Sequence, residues 1–275
     1  MFKEYDENGI ILYEAEHFNA KDILTCGQVF RYFDKKAYYT VLSIDKKCDI
    51  VEDKNKIRLI TDDKDYFNNY FDLDVSYGDI IKRLYSLPFM AKAIDFGKGL
   101  RILRQDAFET IVTFIFTPQN KISKVKVSIE KLCEELGEKK DGYFAFPTIE
   151  KLIEVDETFF RKIGAGYRAK SLYSTLHSIY DNKFDIECIN KLPTENARKI
   201  LCGFRGIGSK VADCILLFGY YKQDVFPIDT WIKKVYGDIF KKENVKDHIM
   251  RYELINLYGE LSGYAQQYLF YNKRQ

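Results

Sequence analysis

The chain has 275 residues, enough for two compact domains or one large one; 46% are hydrophobic and 16% aromatic, enough to fill a sizeable core. Its longest apolar runs, such as Cys214 to Phe218, fall far short of a bilayer span, and MFKEYDENG lacks the basic-then-apolar pattern of a signal peptide. A net charge of +2 neither demands nor excludes nucleic acid, because binding depends on a local basic face rather than on the average. A cytoplasmic protein with no membrane partner is the expectation.

To about residue 62 the chain reads as strands. Ile10 to Tyr13, Gln28 to Phe33, Ala37 to Ile44, Asp49 to Val51 and Lys56 to Ile60 are short and rich in aromatic or β-branched residues, and Asp, Asn, Lys and Gly clusters separate them. The stretch DKDYFNNYFDLDVSYGDI then begins a helix. From about Leu100 the period changes. Asp106-Ala-Phe-Glu109 has the form of a capping box, and Phe108 to Phe116 is largely apolar, as in a buried helix that Pro118 ends. Lys121 to Leu136 is amphipathic, with Ile122, Val125, Ile129 and Leu132 along one stripe. Helical segments continue to the C-terminus. The fold class is therefore α+β: an N-terminal antiparallel sheet domain with a helical transition over residues 1–100, packed on a mainly helical domain over 101–275.

The cysteines are Cys26, Cys48, Cys133, Cys188, Cys202 and Cys214; no two form a CxxC, and the three histidines make no metal-spaced pair. That argues against a zinc site or an iron-sulfur cluster, so no metal and no cofactor are expected and the thiols are read as free.

The most informative stretch is ARKILCGFRGIGSKVADCILLFGYY. Ala197 to Cys202 and Ser209 to Phe218 read as two helices, joined by a turn with three glycines in six residues, which allows positive φ and a tight reversal. Gly206 and Gly208 leave backbone N–H groups bare at the positive pole of the second helix, which suits a phosphate. A bare GxG by itself is better read as an ordinary αα-corner that needs glycine only for packing. Here it is followed by Ser209-Lys210, an apolar helix, and Pro227-Ile-Asp229 near 20 residues on, a more specific combination.

FRGIGSKVADC with FPIDTW resembles the helix-hairpin-helix DNA glycosylases, whose pattern is a glycine hairpin, a lysine, a helix, and a loop ending in V/I-D. It departs from that pattern at Arg205, where proline is usual. Four further segments, in order, are similar to the 8-oxoguanine branch: CGQVFRY, RQDAFETIVTFIFTPQNKISK, GAGYRAKSL and GYAQQYLF. The resemblance implies a bifunctional glycosylase/AP lyase that flips 8-oxoguanine out of duplex DNA, acting as a monomer.

It also implies the roles. Lys210 is the nucleophile at C1′. It sits in the first turn of a helix, where the dipole disfavours positive charge and the apolar run behind it disfavours solvation; both favour the neutral amine. Asp229 is the carboxylate near C1′. Cys214 and Phe270 sandwich the flipped base, Gln266 meets its Watson–Crick edge, and Gly27 offers a carbonyl to the N7 hydrogen that 8-oxoguanine has and guanine lacks. Tyr167 is the wedge in the duplex. Arg168 faces the estranged base, along with Gln119 and Lys124, which stand where animal and yeast members carry asparagine and arginine. Taken singly, Lys210 is also a solvated phosphate contact, Asp229 an N-cap, Cys214 and Phe270 core residues, and Gln119 and Lys124 a solvated helix end. A non-catalytic helix-hairpin-helix DNA-binding protein, or a glycosylase for other damaged bases, is the alternative.

Overall fold

The structure, a computed structural model, describes residues 1–53, 56–183 and 185–274. Strands β1 (Phe2–Asp6), β2 (Gly9–Tyr13), β3 (Tyr32–Asp34), β4 (Tyr39–Ser43), β5 (Lys46–Asp53) and β6 (Lys56–Ile60) form one antiparallel sheet in the order β1-β2-β6-β5-β4-β3. Leu59 stands opposite both Ile10 and Ile50, and Leu12 opposite Ile57, so period-two alternation delivers these residues to one buried face. Phe67, Tyr70 and Phe71, from helix α2 (Lys64–Tyr70) and its end, pack in that core. Asp63 caps α2 through Tyr66 N, so the helix begins inside DKDYFNN, as its sequence indicates.

Two details of the N-terminal part differ from the sequence reading. Ala20–Thr25 is a helix, α1, capped by Asn19, within the stretch read as strands. Gln28 to Phe30 is not strand; only Tyr32–Asp34 of that segment pairs. The reason is tertiary. The Gln28 side chain is fully buried, donates to Ile23 O (2.9 Å) and Arg101 O (2.8 Å), and accepts from Leu103 N (2.9 Å). An inward amide bonded on three sides replaces a ladder, and no propensity scale registers that.

Helices α3 (Tyr77–Tyr85) and α4 (Ala91–Phe96) lead into the helical core. The extended segment from Leu100 to Leu103 ties the two cores together: Leu100 and Ile102 are buried in the helical one, Leu103 in the sheet one. Then follow α5 (Ala107–Ile115), α6 (Ile122–Leu136), α7 (Ile149–Ile153), α8 (Glu157–Lys162), α9 (Ala169–Tyr180), α10 (Thr194–Cys202), α11 (Ser209–Gly219), α12 (Thr230–Phe240), α13 (Asp247–Tyr258) and α14 (Ser262–Arg274). The apolar helices α5 and α11 form the centre, with Phe114 stacked on Phe218 at 5.6 Å.

Half of the capping box at α5 forms. Asp106 accepts from Glu109 N at 2.8 Å, but Glu109 turns away and accepts from Ile44 N at 2.7 Å and from Arg31 at 3.2 Å. That buried carboxylate joins the sheet to the helices instead of closing the box. All six cysteines are free thiols, and no helix among the described residues is long and apolar enough to cross a membrane.

Candidate active site

The α10–α11 pair is a helix-hairpin-helix whose turn is set by its glycines. Gly206 has φ +84°, and a Cβ there would lie 2.5 Å from Ser171 Oγ, so both conformation and space require glycine. Ile207 is buried and anchors the turn, while Gly208, the N-cap of α11, is exposed with open space where a Cβ would be. The first amides of α11 therefore face outward, as anion binding requires. Arg205, the residue that departs from the family pattern, is exposed on the same turn.

Lys210 follows one residue into α11, its Nζ 5.8 Å from the centre of the Phe114 ring. Asp229 closes the Val225–Ile228 strut, four residues that are all buried, and caps α12 by accepting from Ile232 N (2.8 Å) and Trp231 N (3.0 Å). The carboxylate is thus held rigidly by a helix end. Its burial pushes its pKa upward, against the α12 amides and the Lys210 charge, which pull it down. Cys214, one turn beyond Lys210, is 5% exposed, and burial raises its thiol to about 11. A thiol so raised is poorly ionised at neutral pH, as suits an uncharged wall more than a rival nucleophile.

Lys210, Cys214, Asp229, Gly27, Gln266 and Phe270 line one recess of about 50 Å³. It opens beside a cleft of about 720 Å³ bordered by Gly206, Gly208 and the loop from Thr117 to Asn120. The recess shares Gly27, Phe114, Lys210, Asp229 and Phe270 with that cleft, so the two adjoin as one concavity. Gln266 is 4% exposed and its Oε1 accepts no hydrogen bond from any described residue. A buried amide oxygen without a donor costs about 1–3 kcal/mol, and a base edge bearing an N–H would satisfy it. Gly27 has φ +92°; a Cβ there would lie 3.2 Å from Ile122 and 3.3 Å from Phe270.

A second cleft, about 690 Å³, brings together Gln119, Lys124, Tyr167 and Arg168 with Lys131 and Lys162. Tyr167 is 59% exposed, as a projecting wedge must be, and its hydroxyl donates to Pro118 O at 3.2 Å. Arg168 is 8% exposed. Its Nε donates to Pro118 O at 2.7 Å and its Nη1 to Ala165 O at 3.3 Å, so much of its fork already holds the loop that carries Gln119. Lys124 is exposed, and Gln119 is exposed with φ +51°.

Over its whole length the fold and its hairpin match a solved enzyme. The 8-oxoguanine glycosylase/lyase of Clostridium acetobutylicum, bound to double-stranded DNA with cytosine opposite 8-oxoguanine, superposes with a TM-score of 0.94 and 36% identity over 100% of this chain and 98% of that one. The chain belongs to the 8-oxoguanine DNA glycosylase/lyase family. The family model for the 8-oxoguanine DNA glycosylase N-terminal domain matches residues 10–111. A probable N-glycosylase/DNA lyase of Methanothermobacter thermautotrophicus is 29% identical over 68% of this chain and 67% of its own length. The N-glycosylase/DNA lyase of Saccharomyces cerevisiae is 29% identical over 75% of this chain and 65% of its own length.

Within this glycosylase/lyase fold, the residues of the recess and its rim that sequence reasoning missed include Phe114 under Lys210, Gln267, whose Nε2 donates to Cys26 O at 3.1 Å, and Arg274, which lies beside Gly27. The i+4 spacing from Gln266 through Phe270 to Arg274 was the available signal for the last.

Proposed function

We propose that this chain excises 8-oxoguanine from duplex DNA and then cleaves the abasic strand, with Lys210 as nucleophile and Asp229 as the charge-stabilising carboxylate. The Lys210 amine attacks C1′ as the glycosidic bond to N9 breaks, and the base leaves with the bonding electrons and gains a proton. Asp229, anchored by two amides of α12, offers a fixed negative charge where the sugar turns cationic. Ring opening gives a Schiff base between Lys210 and C1′. Loss of a proton from C2′ then expels the 3′ phosphate by β-elimination.

The single observation that carries the reading is the shared recess: a lysine and a carboxylate open into the same pocket as a buried Gln266 whose oxygen has no donor among the described residues. A non-catalytic DNA-binding protein gains nothing from that arrangement. Lys210→Gln should abolish base excision and borohydride trapping while leaving binding to lesion-containing DNA largely intact, since the phosphate-facing amides belong to the hairpin backbone. Trapping that survives in this variant would assign the chemistry to another amine.

We further propose a relaxed preference for the base opposite the lesion. Lys124 stands where the family's animal and yeast members carry an arginine. An ammonium is a flexible point donor, whereas a guanidinium presents a planar fork to the two acceptors of cytosine.

A further inference from the structure

Helix α14 supplies a stripe of three side chains at i, i+4 and i+8: Gln266, Phe270 and Arg274. The first two already belong to the proposed pocket. Arg274 is half-buried, and its guanidinium lies 5.3 Å from the centre of the Phe270 ring. Its Nη2 donates to the carbonyl of Thr25, and its Nη1 stands 2.9 Å from where a Cβ on Gly27 would be. The neighbouring Gln267 donates to the carbonyl of Cys26. Of the consecutive carbonyls at Thr25, Cys26 and Gly27, α14 therefore occupies the first two. The third takes no hydrogen bond from any described residue.

We infer that Arg274 is a specificity-determining positioning residue: it fixes the height of the Gly27 carbonyl and the tilt of the Phe270 ring together, and so sets the gap into which the flipped base fits. The inference rests on the reading of Gly27 and Phe270 as base-contacting residues and deepens it. The physical argument is mechanical. A lesion test made by one carbonyl discriminates only if that carbonyl cannot retreat from a lone pair, and the turn bearing it pivots on Gly27 at φ +92°, a residue whose own backbone is free to move, so neighbouring contacts must fix it. Gln28 pins the turn from the sheet side through Ile23 and Arg101. Arg274 and Gln267 pin it from the helix side. Arg274 lies against both walls of the slot, beside Gly27 and over the Phe270 ring.

Base excision needs the slot; strand cleavage at a preformed abasic site needs only Lys210 and its surroundings. Arg274→Ala should therefore reduce single-turnover excision of 8-oxoguanine at least ~10-fold more than it reduces borohydride trapping on abasic-site DNA, the size expected for losing one charge-assisted hydrogen bond. It should also narrow the ratio of affinities for 8-oxoguanine-containing and undamaged duplexes. Arg274→Lys should restore part of the excision, since an ammonium can reach the Thr25 carbonyl but cannot lie flat over Phe270. Excision and trapping that fall in parallel, with a lowered melting temperature, would reduce Arg274 to a fold contact, and unchanged excision would overturn the inference outright. Failure of Lys210→Gln to abolish trapping sinks the underlying reading; an Arg274 failure with Lys210-dependent trapping intact sinks this inference alone.

Discussion

At the scale of single residues, Asp229 combines two demands that pull against each other. Burial raises its pKa above that of an ordinary aspartate, yet the ionised form is the one that can stabilise a cationic sugar. Excision should therefore fall on the acid side at a pH above that of an ordinary aspartate; a single-turnover profile still flat down to the usual carboxylate range would contradict this. The stability consequence has the opposite sense. A carboxyl whose folded-state pKa is raised contributes stability that is fully present below its unfolded value and is lost as pH rises through the folded value. Asn caps a helix as well as Asp does. So Asp229→Asn should keep or raise the melting temperature at neutral pH while excision drops at least ~100-fold. A destabilised variant, or a fully active one, would leave Asp229 as a cap only. Gly27→Ala is the companion test. It forces a side chain into a left-handed turn, at ~1–2 kcal/mol, and against Ile122 and Phe270. It should weaken 8-oxoguanine excision more than nonspecific DNA binding, and equal losses would assign Gly27 to the fold.

At the scale of elements, the first turns of α6, the end of α8 and the turn from Ile163 to Arg168 form the second cleft, together with Gln119 and Asn120 of the loop before α6. Arg168 is largely committed to the carbonyls of Pro118 and Ala165, so it acts first as the strut that shapes this loop. On the proposed reading, discrimination at the estranged base then falls to Lys124 and Gln119. Lys124→Arg should sharpen the preference for cytosine, since one bidentate pairing is worth ~1–3 kcal/mol of discrimination. Single-turnover excision opposite each of the four bases reads this directly, and a strict cytosine preference in the unaltered enzyme would refute the premise. Gln119 sits at φ +51°, a conformation that asparagine tolerates better than glutamine. Gln119→Asn should therefore leave the loop as stable or more so.

At the scale of the molecule, Arg31 and Glu109 join the sheet to α5. Arg31 is 3% exposed and donates to Ile44 O, to Phe144 O and to Glu109, while Glu109 also accepts from Ile44 N. Breaking one side of such a pair strands the other charge. Arg31→Met alone should cost ~3–5 kcal/mol, whereas Arg31→Met with Glu109→Leu should cost less than the sum of the two single changes. Urea midpoints measure both. Additive losses would mean that the pair does not act as a unit. This junction bears on function because the same CGQVFRY segment carries Gly27 and Arg31: one end faces the base slot, the other fixes the sheet to the helices.

The local signals in the sequence determined a good deal by themselves. The apolar run at Phe108–Phe116, the stripe of α6 and the glycines of the hairpin gave helices and a turn where the structure has them, because period and φ preference are properties of short segments. The motif order placed Lys210, Asp229, Gln266 and Phe270 together as candidates, and the fold brings them to one recess. Tertiary structure decided what depends on partners distant in the chain. Gln28 leaves the expected strand for Ile23, Arg101 and Leu103; Glu109 leaves its capping box for Arg31 and Ile44; Arg274 reaches Thr25 across 249 positions. Each is a polar side chain that burial compels to find a partner, and which partner is near is fixed only once the sheet and the helices have packed.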